Sequence, residues 1–417
     1  MRSLYTLLTY MSYPFLWGSA FFSKKMKLFM QGRSGVFKIL SENIAPDDKT
    51  IWFHCASLGE YEQGVPIMES IRKEFPEYKL ILTFFSPSGF EVRKNTDLAH
   101  VVCYLPLDTK SNAKRFLELV HPTLAIFVKY EFWPNYLFEL NKLKIPSLLV
   151  SGLFRSRQVF FKPRGFFMRR ALATLDHFFV QNQESADLLN SIGINNVSIS
   201  GDTRFDRVSR QIEQDNTLSF IETFKGDGLC IVCGSTWPED EALMLDFINE
   251  SDSNVKFVIA PHIIDASKIE LFRSKLKKPS VCYSSMENED LENKSVFILD
   301  TIGLLNRVYS YADIAYVGGA VGTSGLHNIL EPATFGVPIV IGKNYSKFPE
   351  AIRLESLAGL FSVSTSEELN EIMNKLLSDA DLRSKTGMIC GHFVNSNTGA
   401  TKIIMQQISS LHGNGLI

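Results

Sequence analysis

YVGGAVGTSGLHNILEPATFGVPIVIGKN, running from Tyr316 to Asn344, reads as the end of an apolar strand, a glycine-rich loop, a short helix and a second buried strand. Gly318, Gly319, Gly322 and Gly325 let the backbone turn tightly and come close to a ligand. If a helix begins near Leu326, Asn328 and Glu331 share one face. The N–H groups at such a helix start favour an anion such as a phosphate, and Glu331, one turn on, suits the hydroxyls of a ribose. Pro332 fits a first helical turn, so the helix proper is expected to start at the Glu331–Pro332 step. The plain alternative is an ordinary strand–loop–helix connection whose glycines only serve the turn, because this stretch contains neither GxGxxG nor GxxxxGK[ST].

Outward from this stretch, apolar runs alternate with helical patterns. Strands are expected at Leu229–Cys233, Lys256–Ala260, Val296–Leu299, Ile314–Val317 and Pro338–Ile341 in the second half. In the first half they are expected at Thr50–Ala56, Lys79–Phe85, Val101–Leu105, Thr123–Val128, Ser147–Val150 and Phe178–Val180. That alternation implies an α/β fold with parallel sheets covered on both faces. The 417 residues suit two domains, joined by the polar stretch 206–227, a linker expected to hold some helix. Ligands of such sheets sit at the carboxyl ends of the strands, so both domains are expected to present loops to a cleft.

Composition narrows the class. Hydrophobic residues make up 45% and charged residues 21%, the balance of a soluble globular protein. A net charge of −2 carries no nucleic-acid signature. Six scattered cysteines form no disulfide framework. Cys230 and Cys233 make a CxxC, but on a strand they face opposite sides, and no metal site is expected. Residues 3–23 are uncharged and rich in Leu, Tyr, Phe and Trp17, and Lys24, Lys25 and Lys27 follow directly. The segment either spans a membrane, lies in the interface as an aromatic anchor or packs as a core helix, and membrane association is the favoured reading.

Several residues at strand ends could carry chemistry. Glu60 follows the Thr50–Ala56 strand and could act as a general base; Ser57-x-x-Glu60 also reads as a capping box. Glu131 follows another strand, beside Trp133 and Pro134, and reads equally as an acid at a helix start. Ser235 and Thr236 could hold a phosphate or simply cap the helix that begins at Pro238. His262 could meet a leaving phosphate or occupy a turn. Arg155, Arg157, Lys162, Arg164, Arg169 and Arg170 interleave with Phe160, Phe161, Phe166 and Phe167. That pattern suits anionic lipid headgroups and acyl chains, or an amphipathic helix with a solvated basic face. Asp379-x-Asp381 reads as a helix cap.

Together, FHCASLGEYEQ (53–63), TFFSPSGFE (83–91), LPLD (105–108), KYEFWPN (129–135), the Ser151–Arg157 segment, GDTRFD (201–206), GSTWPEDE (234–241) and GGAVGTSGLHNILEPATFGVPIVIG (318–342) resemble the bacterial Kdo transferases, which attach 3-deoxy-D-manno-octulosonic acid to lipid A precursors. The resemblance covers nearly the whole chain. It implies an inverting GT-B glycosyltransferase of two Rossmann-like domains, with CMP-Kdo as donor, a lipid A precursor as acceptor, no cofactor and no bound metal. The catalytic domains would lie on the cytoplasmic face of the inner membrane. The implied division is an anchor at 1–30, an acceptor-binding domain at 31–205, a linker at 206–227, a CMP-sugar-binding domain at 228–385, and a helix at 386–417 crossing back to the first domain.

By the same resemblance Glu60 is the base and Glu131 the second acidic position, on the acceptor side. The donor side takes Ser235, Thr236, His262, Gly319, Gly322, Asn328, Glu331 and Lys343. The acceptor side takes Ser86, Ser88, Arg155, Arg157, Lys162 and Arg164. Where many members read Pro-Arg-His this chain has Pro261-His262-Ile263, so His262 or Lys343 would take the place of the arginine that meets the phosphate. Where many read Gly-Gly-His-Asn it has Gly325-Leu326-His327-Asn328. The alternatives are a GT-B transferase with another nucleotide sugar and acceptor, or a nucleotide-sugar binder in which Glu60 is only a cap. A UDP-sugar epimerase of similar fold would leave the anchor and the basic patch without a purpose.

Overall fold

The apolar runs fold into two parallel sheets of seven strands each. The computed structural model describes residues 2–417; Met1, part of the expected anchor, lies outside the described residues. The chain divides into a first unit, residues 1–207 with 398–417, and a second, residues 208–397.

The first sheet contains β1 (Thr50–Cys55), β2 (Lys79–Phe84), β3 (Val101–Tyr104), β4 (Pro122–Val128), β5 (Ser147–Gly152), β6 (His177–Val180) and β7 (Val197–Ile199), in the order β3-β2-β1-β4-β5-β6-β7. Every residue of β1 is buried, as a strand covered on both faces requires. Trp52 packs against Phe116, Phe127 and Tyr136, with ring centroids 4.8, 5.1 and 5.6 Å away. Burial of each such side chain is worth about 1.5–3 kcal/mol.

The second sheet contains β8 (Leu229–Thr236), β9 (Val255–Pro261), β10 (Ser280–Cys282), β11 (Val296–Ile298), β12 (Ile314–Val317), β13 (Ile339–Gly342) and β14 (Leu360–Val363), in the order β10-β11-β9-β8-β12-β13-β14. In the first sheet the winding reverses between neighbours β1 and β4, in the second between β8 and β12. A crevice opens at such a reversal, at the carboxyl ends of the strands. The edge strands β7, β10 and β14 have three or four residues each and are only partly buried, so no long apolar run announces them.

Three expected boundaries shift. Within the supposed linker 206–227, helix Ser219–Lys225 buries Ile221 and Phe224 in the second unit. The return to the first unit comes at Thr398 rather than 386, because helix Ala380–Ser396 belongs to the second unit. The last helix, Ala400–Gly413, then sinks Ile404, Met405 and Ile408 into the core beside β1 and β4. Its start is held by Asp206, whose carboxylate accepts from the N–H of Gly399 (2.6 Å), the N–H of Thr401 (2.8 Å) and the Thr401 hydroxyl (2.9 Å).

The third shift concerns the N-terminus. Phe29 and Met30, inside the expected anchor, pack against Leu107. Helix Arg2–Ser19 buries none of its side chains, and none of the described helices is long and apolar enough to cross a membrane. This helix is docked inside out. Arg2 donates to Asn135 (3.0 Å) and Glu139 (2.6 Å), and Tyr5 donates to Asp108 (2.9 Å). Leu4, Leu7, Leu8, Met11, Phe15 and Trp17 face outward.

Burial pushes the Asp108 carboxyl up to about 6 from its usual 3.8, against the pull of hydrogen bonds from Asn135, Tyr5 and Tyr136. Between those two values the native state binds a proton that the unfolded chain does not, so stability falls as pH rises through that window. Urea unfolding measured from about pH 4 to about pH 7 should show Asp108→Asn with a flatter pH slope than the wild type. An unchanged slope would assign the effect to another group.

Candidate active site

The glycine-rich stretch leaves β12 at the second reversal point. The Gly318 N–H donates to Gly234 O (3.0 Å), the Gly319 N–H to Asp240 (2.9 Å) and the Gly325 N–H to Gly319 O (3.1 Å). These three N–H groups are therefore committed within the fold. Gly319 has φ +94°, and a Cβ added there would lie 2.2 Å from Gly325 O, so only glycine fits. Gly322 O and Val321 O accept from the Asn344 side chain at 2.8 and 2.9 Å, which pins the loop. Lys343 is exposed beside it.

The helix runs from Leu330 to Thr334, starting within a residue of the expected Glu331–Pro332 step and not near Leu326. Asn328 lies before it and bonds both ways: its oxygen accepts from the Leu330 N–H (3.2 Å) and its amide donates to Glu331 (3.1 Å). Asn328 and Glu331 are thus brought together, as expected, but through a capping turn rather than a shared helical face.

Asp240 organises this site. It is fully buried and accepts from the Trp237 N–H (2.9 Å), the Gly319 N–H (2.9 Å) and the Tyr316 hydroxyl (2.8 Å). Burial nevertheless raises its carboxyl above the usual range. In sequence it was one acid among three in a helical first turn, and nothing in the spacing singled it out. Ser235 sits in a bulge of β8 with φ +53°, the kind of irregularity that re-aims a side chain. Thr236 is buried and donates to Glu241 (3.0 Å). The His262 N–H donates to Thr236 O (2.9 Å), and its ring stacks on Trp237 with centroids 4.9 Å apart. His327 lies 4.3 Å from His262, ring to ring, and accepts from the Trp237 indole N–H at 3.1 Å.

In the first unit, Glu60 and Glu131 follow neighbouring parallel strands, β1 and β4. Glu60 is buried in the first turn of helix Leu58–Glu74. The capping box does not form: the Ser57 side chain caps no N–H and instead donates to Glu60 Oε2. Burial, then Glu60, then Glu131 push the Cys55 thiol well up, so both carboxylates act on one spot at the β1 terminus. The Tyr130 hydroxyl is raised by burial and by the same two carboxylates, while Arg155 pulls it down. Lys129, where β4 ends, has φ +73°, a strained turn of the sort that gathers at functional sites.

His54 went unremarked in sequence. It is buried at the centre of a chain of hydrogen bonds. The Trp133 indole donates to His54 Nε2 (2.9 Å), so the ring proton sits on Nδ1 and goes to the Thr83 hydroxyl (2.9 Å). Thr83 also accepts from Trp52 (2.8 Å) and donates to Phe53 O (3.2 Å). Glu131 lies 3.9 Å from His54 Nε2, but that lone pair is already taken, so the contact is not an ion pair.

Ser86 caps helix Pro87–Arg93 through the Ser88 N–H (3.3 Å), and the two hydroxyls pair at 2.9 Å. Arg155, Arg157, Lys162 and Arg164 are exposed. Their segment is two 3-10 turns, Val159–Phe161 and Pro163–Gly165, followed by helix Phe166–Leu172, rather than one amphipathic helix. Arg169 is structural, donating to Phe160 O and Lys162 O at 2.8 Å. Asp379 caps helix Ala380–Ser396 through the Leu382 N–H (2.8 Å).

Residues 30–207 match the family model described as 3-deoxy-D-manno-octulosonic-acid transferase (kdotransferase). A 3-deoxy-D-manno-octulosonic acid transferase of Haemophilus influenzae is 26% identical over 379 residues, 86% of this chain and 86% of that protein. A bifunctional glycosyltransferase/methyltransferase of Fusobacterium nucleatum is 28% identical over 385 residues, 87% of this chain; the chain spans 58% of that relative's length. In fold, the chain is similar to the UDP-GlcNAc 2-epimerase from Neisseria meningitidis bound to UDP-GlcNAc (TM-score 0.61, 15% identity, 87% of this chain and 100% of that one).

Removing the Asp240 side chain leaves three donors without an acceptor, at about 1–3 kcal/mol for each buried group. Thermal unfolding should show a large drop in Tm for Asp240→Ala and a smaller one for Asp240→Asn, which keeps one acceptor oxygen. Equal Tm for wild type and both variants would show that the clamp is idle.

Proposed function

On the premise that this chain belongs to the Kdo transferase family and is a GT-B glycosyltransferase, we propose that it moves Kdo from CMP-Kdo to the 6′-hydroxyl of a lipid A precursor at the cytoplasmic face of the inner membrane. The first unit takes the acceptor and the second the nucleotide. The observation that carries the reading is Glu60: a buried carboxylate at the reversal point of the first sheet, with one oxygen held by Ser57. Among the described residues Oε1 makes no hydrogen bond, so it is the oxygen offered to substrate.

In this reading the acceptor hydroxyl gives its proton to Glu60 Oε1 as its oxygen forms a bond to the anomeric carbon of Kdo. The carbon–oxygen bond to the phosphate breaks on the opposite face, and CMP leaves with the bonding pair. Ser57 keeps the carboxylate oriented, so the base loses no rotamer freedom at the moment of transfer. Glu131 and Tyr130 flank the attacking hydroxyl. No metal is required of the protein, because the charge on the departing phosphate is met by hydrogen-bond donors of the second unit.

The inside-out N-terminal helix supports a membrane-surface acceptor. A row of exposed Leu, Phe and Trp on an otherwise folded unit marks an interaction surface. The Lys24, Lys25 and Lys27 cluster that follows suits anionic headgroups.

With CMP-Kdo and a tetraacylated lipid A precursor, Glu60→Gln should lower turnover by about a hundredfold or more with Tm unchanged. Turnover retained in that variant would move the base to Glu131, and no transfer by a folded wild type would overturn the donor–acceptor assignment. Separately, the wild type should float with liposomes containing anionic lipid, whereas a Phe15→Ser, Trp17→Ser, Phe21→Ser variant should stay at the bottom of the gradient. If the variant floats equally well, the helix is not the contact.

A further inference from the structure

We propose that Trp237 is a positioning residue: it fixes His327 with its ring proton on Nδ1, and this neutral imidazole N–H meets the phosphate of the donor nucleotide. The inference rests on the donor reading above.

An indole N–H can only donate. Trp237 Nε1 lies 3.1 Å from His327 Nε2, so Nε2 bears a lone pair and the proton of the neutral ring sits on Nδ1. Burial, and then the neighbouring His262, push His327 ionisation down to about 4, which keeps the ring neutral near pH 7. The carboxylates around the same turn are Asp240, which holds Gly319, and Glu239, beside Gly322. The indole itself cannot drift, because His262 stacks on it at an interplanar angle of 24°.

The first unit contains the same device with a different end. There the Trp133 indole donates to His54 Nε2, and the freed Nδ1 proton is spent on Thr83, 2.9 Å away inside the core. In the second unit no described residue accepts the Nδ1 proton of His327, and Nδ1 is not among the buried unpartnered atoms. One tryptophan–histidine pair is closed within the protein. The other presents an N–H and stops.

The place is the one where a phosphate belongs. The His327 N–H donates to Gly318 O (3.2 Å), and an atom of its ring lies 3.0 Å from where a Gly319 Cβ would be. The imidazole therefore sits on the glycine turn, at the carboxyl ends of β8 and β12. The N–H groups of Gly318, Gly319 and Gly325 are already committed, so the turn serves as a platform for this side chain and not as the anion cradle itself.

The test uses the full chain labelled with ¹⁵N-histidine, cytidine 5′-monophosphate as probe, and long-range ¹H–¹⁵N NMR, which distinguishes the two tautomers directly. In the wild type His327 should show a protonated Nδ1 and an unprotonated Nε2, and the nucleotide should shift Nδ1. Trp237→Phe keeps a ring for His262 to stack on but removes the donor. It should give a mixture of tautomers, about tenfold weaker CMP binding, and a raised KM for the donor with a smaller change in kcat. The proposal falls if wild-type His327 carries its proton on Nε2, or if Trp237→Phe leaves both tautomer and affinity unchanged. It falls alone, with the functional reading intact, if the wild type transfers Kdo yet CMP leaves Nδ1 unmoved. If uridine 5′-monophosphate shifts Nδ1 and CMP does not, the imidazole contact stands and the cytidine donor is overturned.

Discussion

A single buried carboxylate holds the second unit's site together. Asp240 gathers three donors from three parts of the chain: the residue that caps its own helix, the strand β12 and the glycine turn that follows it. A carboxylate taken out of water is costly unless such donors replace its hydration. The same requirement fixes the donors, because none of them has another acceptor. The turn at Gly318 and Gly319 is therefore set from below, by helix and strand, before any ligand arrives. His327 inherits that placement through its bond to Gly318.

The first unit solves the equivalent problem with neutral groups. His54, Thr83, Trp52 and Trp133 form a saturated chain of hydrogen bonds under the strand ends, each donor matched to an acceptor. That chain ties Trp133 to β1, and with it the loop carrying Tyr130 and Glu131. Strain is concentrated in the loops above: Lys129, Ser151 and Ser235 all take left-handed backbone at strand ends, a cost that rigid surroundings can sustain. Both networks thus lie at the strand ends where the strand order reverses.

Much of this was legible in the residues. Long apolar runs such as Ile51–Cys55 and Leu124–Val128 announce buried strands, and the glycine cluster after Tyr316 announces a sharp turn. Glu60 and Glu131 stand out because acids immediately after such runs fall at the carboxyl ends of the sheet. What escaped has a common cause. The roles of Asp240, His54, Asn344 and Trp237 depend on partners 22 to 90 residues away in sequence, and no local period records them. The edge strands β7, β10 and β14 are short and only partly buried, so no long apolar run marks them. Ser57 and Glu60 had the spacing of a capping box, but burial of the carboxylate made the serine its donor instead. The basic stretch 155–170 has helical composition, yet Pro163 and the tight contact of Gly165 with Val159 break it into turns.

The route of the chain has a consequence for how this protein is made. The final helix, Ala400–Gly413, supplies Ile404, Met405 and Ile408 to the core between the first sheet and its covering helices, and Asp206 receives its first turn. A ribosome releases those residues only after the whole of the second unit has emerged. Domains generally fold as units during synthesis, N-terminal first, but here the N-terminal unit must wait with an open flank of apolar side chains for its last structural piece. Completion of the first unit's core is therefore tied to completion of the second unit's synthesis, although the two units bury separate cores.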